Sequence, residues 1–186
     1  MILAIPGSIR EGSYNRLLLK AAIQCAPALT IQIYDEMAAI PLFSEDLERA
    51  TGGTGPDVIV RFRRRVAEAD GLLIATPEYN QSIPGVLKNA IDWLSRPGPD
   101  EVLAGKPVAV MGASGGRWGT RLAQAALRQT LYAAESVVLP RVGLYVREAG
   151  HVFDANGQLI DQSIRKQLES LLSAFSWWIE SVSVVE

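Results

Sequence analysis

The sequence predicts a doubly wound α/β fold: a five-stranded parallel sheet with helices on both faces. Two observations carry this. Short apolar runs at residues 2–5, 71–76 and 107–112 have no polar side, as strands buried on both faces do. Segments with apolar residues at helical spacing separate these runs, and strand-helix alternation implies a parallel sheet covered on both sides. Right-handed crossovers leave few topologies for such a chain. Its 186 residues, without internal repeat or low-complexity tract, are expected to form one domain over residues 1–186.

Taken in order, residues 2–5 are the first strand, running into Pro6-Gly7-Ser8. Residues 15–26 carry Leu17, Leu18, Ala21, Ala22 and Cys25 on one helical face, and Pro27 stops that helix. Residues 30–34 are a second strand. Residues 35–56 read as a long loop, with Thr51-Gly52-Gly53-Thr54-Gly55 its most flexible part. Val58, Ile59, Phe62, Val66 and Ala69 mark the next helix, and 71–76 is the clearest strand. Helices follow at 85–95 and 120–131, on either side of the strand at 107–112. The last strand falls at 137–139, with a further piece at 142–146 beyond Pro140. Asn156-Gly157 is a turn, and a helix closes the chain from 161 to about 182.

Composition narrows the function. Charged residues are 20% of the chain and the net charge is −2, a near-neutral balance that gives no general attraction to nucleic acid or to an anionic membrane. Cys25 is the single cysteine and His151 the single histidine, which excludes an intrachain disulfide, a CxxC redox pair and a multi-histidine metal site. No apolar run approaches a membrane span, and the apolar start lacks a basic leader, so a cytoplasmic location is expected.

In open α/β sheets, ligands bind beyond the carboxyl ends of the strands. Three loops occupy that end, after the first, third and fourth strands. The first holds Ser8, Arg10, Ser13 and Asn15 at a strand-to-helix junction. Helix N-terminal N–H groups, hydroxyls and a guanidinium suit a phosphate. The plainer reading is that Ser13 and Asn15 cap a helix. The spacing is neither Gly-x-Gly-x-x-Gly nor a P-loop. Pro6 removes one donor before this loop, on the strand side. The second loop, Pro77-Glu78-Tyr79-Asn80-Gln81-Ser82-Ile83-Pro84-Gly85, is stiff, and Tyr79 can lie along a flat ring; a rigid connector is the alternative. The third, Ser114-Gly115-Gly116-Arg117-Trp118-Gly119, lets backbone approach a flat ligand. Arg117 or Trp118 can cover that ligand or guide a second one to it; the alternative is a solvent-facing arginine and an interface tryptophan. Lys88, Asn89 and Asp92 read as helix solvation and subunit contact, and Arg61, Arg63, Arg64 and Arg65 as a solvated helix face. Trp177 falls off the stripe of the last helix and can pack on another subunit or simply stand exposed.

Three motifs in order carry a resemblance: Ser8-x-Arg10-x-x-Ser13-x-Asn15; Pro77-Glu78-Tyr79-Asn80-x-Ser82-x-Pro84-Gly85-x-Leu87-Lys88-Asn89-Ala90-Ile91-Asp92-Trp93; and Ala113-Ser114-Gly115-Gly116. Together they resemble the NAD(P)H-dependent FMN reductases, which include quinone, chromate and azo-dye reductases. The resemblance implies a flavodoxin-like fold of strand order 2-1-3-4-5 and non-covalent FMN. It implies that Ser8, Arg10, Ser13 and Asn15 hold the FMN phosphate. Pro77, Glu78, Tyr79 and Asn80 would then line the isoalloxazine, largely through backbone groups, with Ser114, Gly115 and Gly116 at its other edge. It further implies hydride transfer from NAD(P)H to a small acceptor such as a quinone, azo compound, free flavin or metal oxyanion, and a homodimer or homotetramer. No side chain is required as a general base, so no catalytic residue and no metal ligand are assigned. Two rivals use the same fold: a flavodoxin-type electron carrier, disfavoured by the near-neutral charge, and a non-enzymatic flavin- or nucleotide-binding module.

Overall fold

Alternate residues of each central strand face opposite sides of the sheet, and both sides are apolar. Ile2 and Ala4 of β1 (Ile2–Pro6), with Leu73, Ala109 and Met111, pack under one helical layer, while Leu3, Ile5, Leu72, Ile74, Val108 and Val110 pack under the other. The computed structural model describes residues 1–96, 101–140 and 143–183.

The first layer is α1 (Tyr14–Cys25) and α6 (Gln162–Ser183). Ser13 caps α1, its Oγ accepting from the Arg16 N–H at 3.4 Å. Asp161 caps α6, accepting from the Ser163 and Ile164 N–H groups at 2.8 and 2.9 Å. Leu168, Leu171, Leu172 and Phe175 of α6 are buried, each burial contributing roughly 1.5–3 kcal/mol against the entropy of ordering the chain. The second layer is α3 (Asp57–Ala67), α4 (Gly85–Leu94) and α5 (Arg121–Ala133). Ile59, Phe62 and Val66 form the predicted stripe of α3.

The strands β2 (Ile31–Ile33), β1, β3 (Gly71–Ala75), β4 (Pro107–Ala113) and β5 (Val137–Val138) lie in that order, and every pairing is parallel. This is the flavodoxin-like order 2-1-3-4-5, with its switch point between β1 and β3. The fifth position is shared. β5 pairs with the start of β4, and β6 (Leu144–Val146) pairs with its end. The chain therefore interrupts its last strand around Pro140, where the lost N–H favours a break, and Val142 lies outside the described residues.

The expected loop at 35–56 is partly helical: Met37–Ala39 form a 3-10 turn and Glu45–Ala50 form α2. Ser44 caps α2 and Glu45, Asp46 and Glu48 sit in its first turn, where carboxylates favour the helix dipole. Asn89 of α4 clamps the strap ahead of α2. Its Oδ1 accepts from the Phe43 N–H at 2.7 Å, and its Nδ2 and the Trp93 Nε1 each donate to the Pro41 carbonyl at 2.8 Å. Asn89 is thus an internal fastener, not a solvating residue, while Lys88 and Asp92 pair on the exposed side. The arginines of α3 are engaged one by one: Arg61 with Glu36, Arg65 with Gln32, Arg64 with Glu68 and Arg63 with the Trp93 and Arg96 carbonyls. Trp178 donates to the Val137 carbonyl, whereas Trp177 is 63% exposed. Among the described residues, no helix is long and apolar enough to cross a membrane.

Candidate functional site

The three loops after β1, β3 and β4 meet at the carboxyl end of the sheet, and hydrogen bonds stitch each to another. Loop one joins loop two through its root, where the Gly7 N–H donates to the Ala75 carbonyl at 2.7 Å. The Ile2 N–H points to Thr30 and the Gly7 N–H to Ala75. Alternation therefore turns the Pro6 nitrogen toward β2, which has already ended at Ile33, so the missing donor is not needed.

Asn15 joins loop one to the end of β4. Its Nδ2 donates to the Ala113 carbonyl at 2.9 Å and its Oδ1 accepts from the Ala113 N–H at 2.8 Å, with both residues buried. An amide side chain here replaces a strand neighbour, and it neither caps α1 nor is its oxygen free for a ligand.

Ser8 and Ser13 are buried and Arg10 is exposed. The Ser8 Oγ accepts from the Arg10 N–H at 3.3 Å and lies 3.5 Å from the Tyr79 hydroxyl across loop two. The Arg10 guanidinium lies 5.6 Å from the centre of the Tyr14 ring and makes no ion pair among the described residues. Beside the loop is a cleft of about 330 Å³, lined by Ser8, Ile9, Arg10, Arg16 and Asp35 among others. Arg16 is paired with Asp35 there, which leaves Arg10 as the uncommitted cation of this loop.

In loop two, Pro77 is buried and Tyr79 is 49% exposed. Tyr79 and Ser82 exchange both backbone hydrogen bonds at 3.0 Å around Asn80 and Gln81, whose φ angles are 50° and 63°. Two successive positive φ values close a tight primed turn, unusual for a glutamine and a fixed feature of the loop. The Glu78 side chain turns away from the loop's mouth. Its Oε2 accepts from the Leu122 and Ala123 N–H groups at 2.8 and 3.0 Å, capping α5 from another element. A carboxylate at a helix N-terminus also meets the favourable end of the dipole. Glu78→Gln keeps one acceptor and loses the charge, so urea denaturation should show a loss of about 1 kcal/mol.

Loop three is held by a segment that the sequence reading missed. The Glu148 N–H donates to the Gly116 carbonyl and the Ala149 N–H to the Ser114 carbonyl, both at 3.0 Å. Glu148 sits in the left-handed region at φ 47°, an uncommon conformation beside the loop it supports. No local signal in the sequence marks it. The Gly115 backbone is open, with no heavy atom within 4 Å of where a Cβ would stand, and at Gly116 only the Ser114 Oγ comes near, at 3.5 Å.

The arrangement therefore offers an uncommitted guanidinium with two buried hydroxyls at one end, and bare backbone with an exposed tyrosine at the other. That set fits a flat ring carrying one phosphate. It contains no nucleophile–base pair. Burial pushes the Cys25 thiol up from its ordinary range, and Cys25 ends α1, away from these loops.

The family model for NADPH-dependent FMN reductase matches residues 1–151. The chain belongs to the NADPH-dependent FMN reductase family. It is similar to an NAD(P)H-dependent FMN reductase of Pseudomonas aeruginosa, 45% identical over 179 residues that cover 96% of this chain and 94% of that protein. It is similar also to a 2-hydroxy-1,4-benzoquinone reductase of a Burkholderia species, 37% identical over 96% of this chain and 95% of that one. Among solved structures, FerB, a flavoenzyme NAD(P)H:(acceptor) oxidoreductase from Paracoccus denitrificans, superposes with a TM-score of 0.87 at 33% identity over 97% of both chains. This FMN reductase is accordingly an FMN-dependent oxidoreductase that uses NAD(P)H, as the motifs implied.

Proposed function

We propose that this FMN reductase passes hydride from NAD(P)H to a quinone, with FMN seated across the three stitched loops. The single observation that carries the placement is the uncommitted Arg10 guanidinium beside Ser8 and Ser13, joined through Asn15 to Ala113 at the root of the loop that carries Gly115 and Gly116. Quinone as acceptor is supported by the quinone reductases of Burkholderia and Escherichia coli, the latter 36% identical over 98% of this chain.

In this reading Arg10 neutralises the phosphate, and the Ser8 and Ser13 hydroxyl protons donate to it while their oxygens accept from the Arg10 and Arg16 N–H groups. Asn15 acts by fixing Ala113, and so the start of loop three. Pro77, Glu78, Tyr79 and Asn80 present a rigid edge to the ring, with Glu78 holding α5 rather than the ligand. Ser114, Gly115 and Gly116 flank the other edge, where the missing side chains at 115 and 116 let the ring approach. Bound FMN supplies hydride acceptance and donation; the chain supplies orientation and fixed dipoles that need no reorganisation. One domain over residues 1–186, a cytoplasmic location and a homodimer or homotetramer complete the reading. Assembly is supported by Leu42 and Tyr132, each 83% exposed, and by Trp177.

The test is flavin affinity. Titrating flavin-stripped protein with FMN should give a dissociation constant about 10–100-fold higher in Arg10→Ala than in wild type, the worth of a charge-assisted contact. Arg10→Lys should fall between them, as a point charge without the planar fork. Unchanged affinity in Arg10→Ala defeats the placement.

A further inference from the structure

Arg117 and Trp118 stand outside every contact described so far, yet they are not loose. Loop three is fastened just before them, at Gly116 through the Glu148 N–H, and just after them at Gly119, which takes a φ of 67° and lies against Tyr145, and at the fully buried Thr120. Between these points the chain pushes two large side chains outward. The Trp118 ring is 66% exposed. The Arg117 guanidinium lies 4.9 Å from that ring's centre and makes no ion pair among the described residues. Stacking sets the guanidinium over one face of the indole while most of the residue's surface stays exposed. From Ser114 to Arg121 the chain carries arginines at 117 and 121 and no acid.

We propose that Arg117 and Trp118 form a subsite for the adenosine end of NADPH, with the indole's other face taking the adenine and the guanidinium taking the 2′-phosphate. This rests on the placement of FMN given above. There the nicotinamide must lie on the exposed ring face, and the rest of the dinucleotide must leave across the rim of the loops. Loop one meets that rim with Arg10, already spent on the FMN phosphate. Loop two offers Tyr79 with no cation in its turn. Loop three alone offers an aromatic face and an unspent cation together, and Trp118 lies four residues beyond Ser114, a chain reach of at most about 14 Å. Aromatic faces hold bases by stacking, and arginine is the side chain suited to a phosphate monoester. A second copy of this chain is the competing occupant of an exposed tryptophan. The unpaired arginine and the absence of acids on the loop favour an anion.

The experiment uses the full chain loaded with FMN. Calorimetry with 2′,5′-ADP and with 5′-AMP reads the subsite without turnover, and steady-state KM for NADPH and for NADH reads it in the reaction. Wild type should bind 2′,5′-ADP about tenfold or more tighter than 5′-AMP. Arg117→Ala should erase most of that difference and raise the KM for NADPH about 10–100-fold, moving the KM for NADH far less. Arg117→Lys should recover part of the preference. Trp118→Ala should weaken both nucleotides together. The subsite is overturned if wild type does not distinguish the two nucleotides, or if Arg117→Ala leaves the distinction intact. It is also overturned if the substitutions change sedimentation in place of nucleotide preference, which would make the pair a subunit contact. Flavin content and NADH oxidation in the same samples report on the FMN placement separately: a wild type that retains no flavin fails that reading, whatever its nucleotide preference.

Discussion

Asn15→Ala should destabilise the protein by on the order of 2–6 kcal/mol and release FMN along with it. Two buried backbone groups of Ala113 depend on this one side chain, its N–H at 2.8 Å and its carbonyl at 2.9 Å. Each orphaned buried group costs about 1–3 kcal/mol, since no solvent replaces the lost partner. Urea denaturation followed by far-UV circular dichroism measures the first effect, and flavin retention on gel filtration the second. Asn15→Asp divides the contribution. It keeps an oxygen for the Ala113 N–H but brings no hydrogen to the carbonyl, which then faces a carboxylate. It should be no better than Asn15→Ala. If Asn15→Ala unfolds at the wild-type urea concentration, the bond between loop one and β4 carries no weight.

What the sequence made legible was local. The strands at 71–76 and 107–112 were plain because burial on both faces leaves unbroken apolar runs, and the stripe Ile59, Phe62, Val66 survives because helical spacing is a short-range pattern. The three loops were found for the same reason: Gly, Pro, Ser and Arg cluster within a few residues. Long-range partners were not legible. Asn15 finds Ala113 at 98 positions along the chain and Glu78 finds Leu122 at 44, and no spacing announces either. Both residues were expected at the cofactor, and both have an architectural use of their side chains. Glu148 was missed because its left-handed backbone bears no glycine or asparagine as a marker. The helix α2 stands where a loop is expected: Ser44 followed by Glu45 and Asp46 is a helix start, and the glycines at 52, 53 and 55 follow the helix rather than extend a loop through it.

Gly112→Ala should be as damaging as any single methyl group in this fold. A Cβ at Gly112 would stand 2.3 Å from the Thr76 carbonyl oxygen and 2.2 Å from the Thr120 Oγ1. Neither neighbour is the end of a flexible chain. Thr76 is the root of loop two, held by its N–H to the Met111 carbonyl at 3.0 Å, and Thr120 is the N-cap residue of α5, its hydroxyl accepting from Gln124 at 2.9 Å. The methyl must therefore push loop two away from α5, against the Glu78 cap that ties them together. Overpacking of a tight core costs about 1–3 kcal/mol and more where backbone must move, so a loss of about 3 kcal/mol or more is expected. Flavin affinity should fall too, because the two edges proposed to receive the ring separate. Gly85→Ala is the matched control. It opens α4 with no heavy atom within 4 Å of the new carbon, and it should stay within about 1 kcal/mol of wild type. Parallel urea titrations and FMN titrations of both variants decide the matter. Should Gly112→Ala match Gly85→Ala in both, loops two and three do not meet through β4, and a ring cannot be held between them in the way inferred.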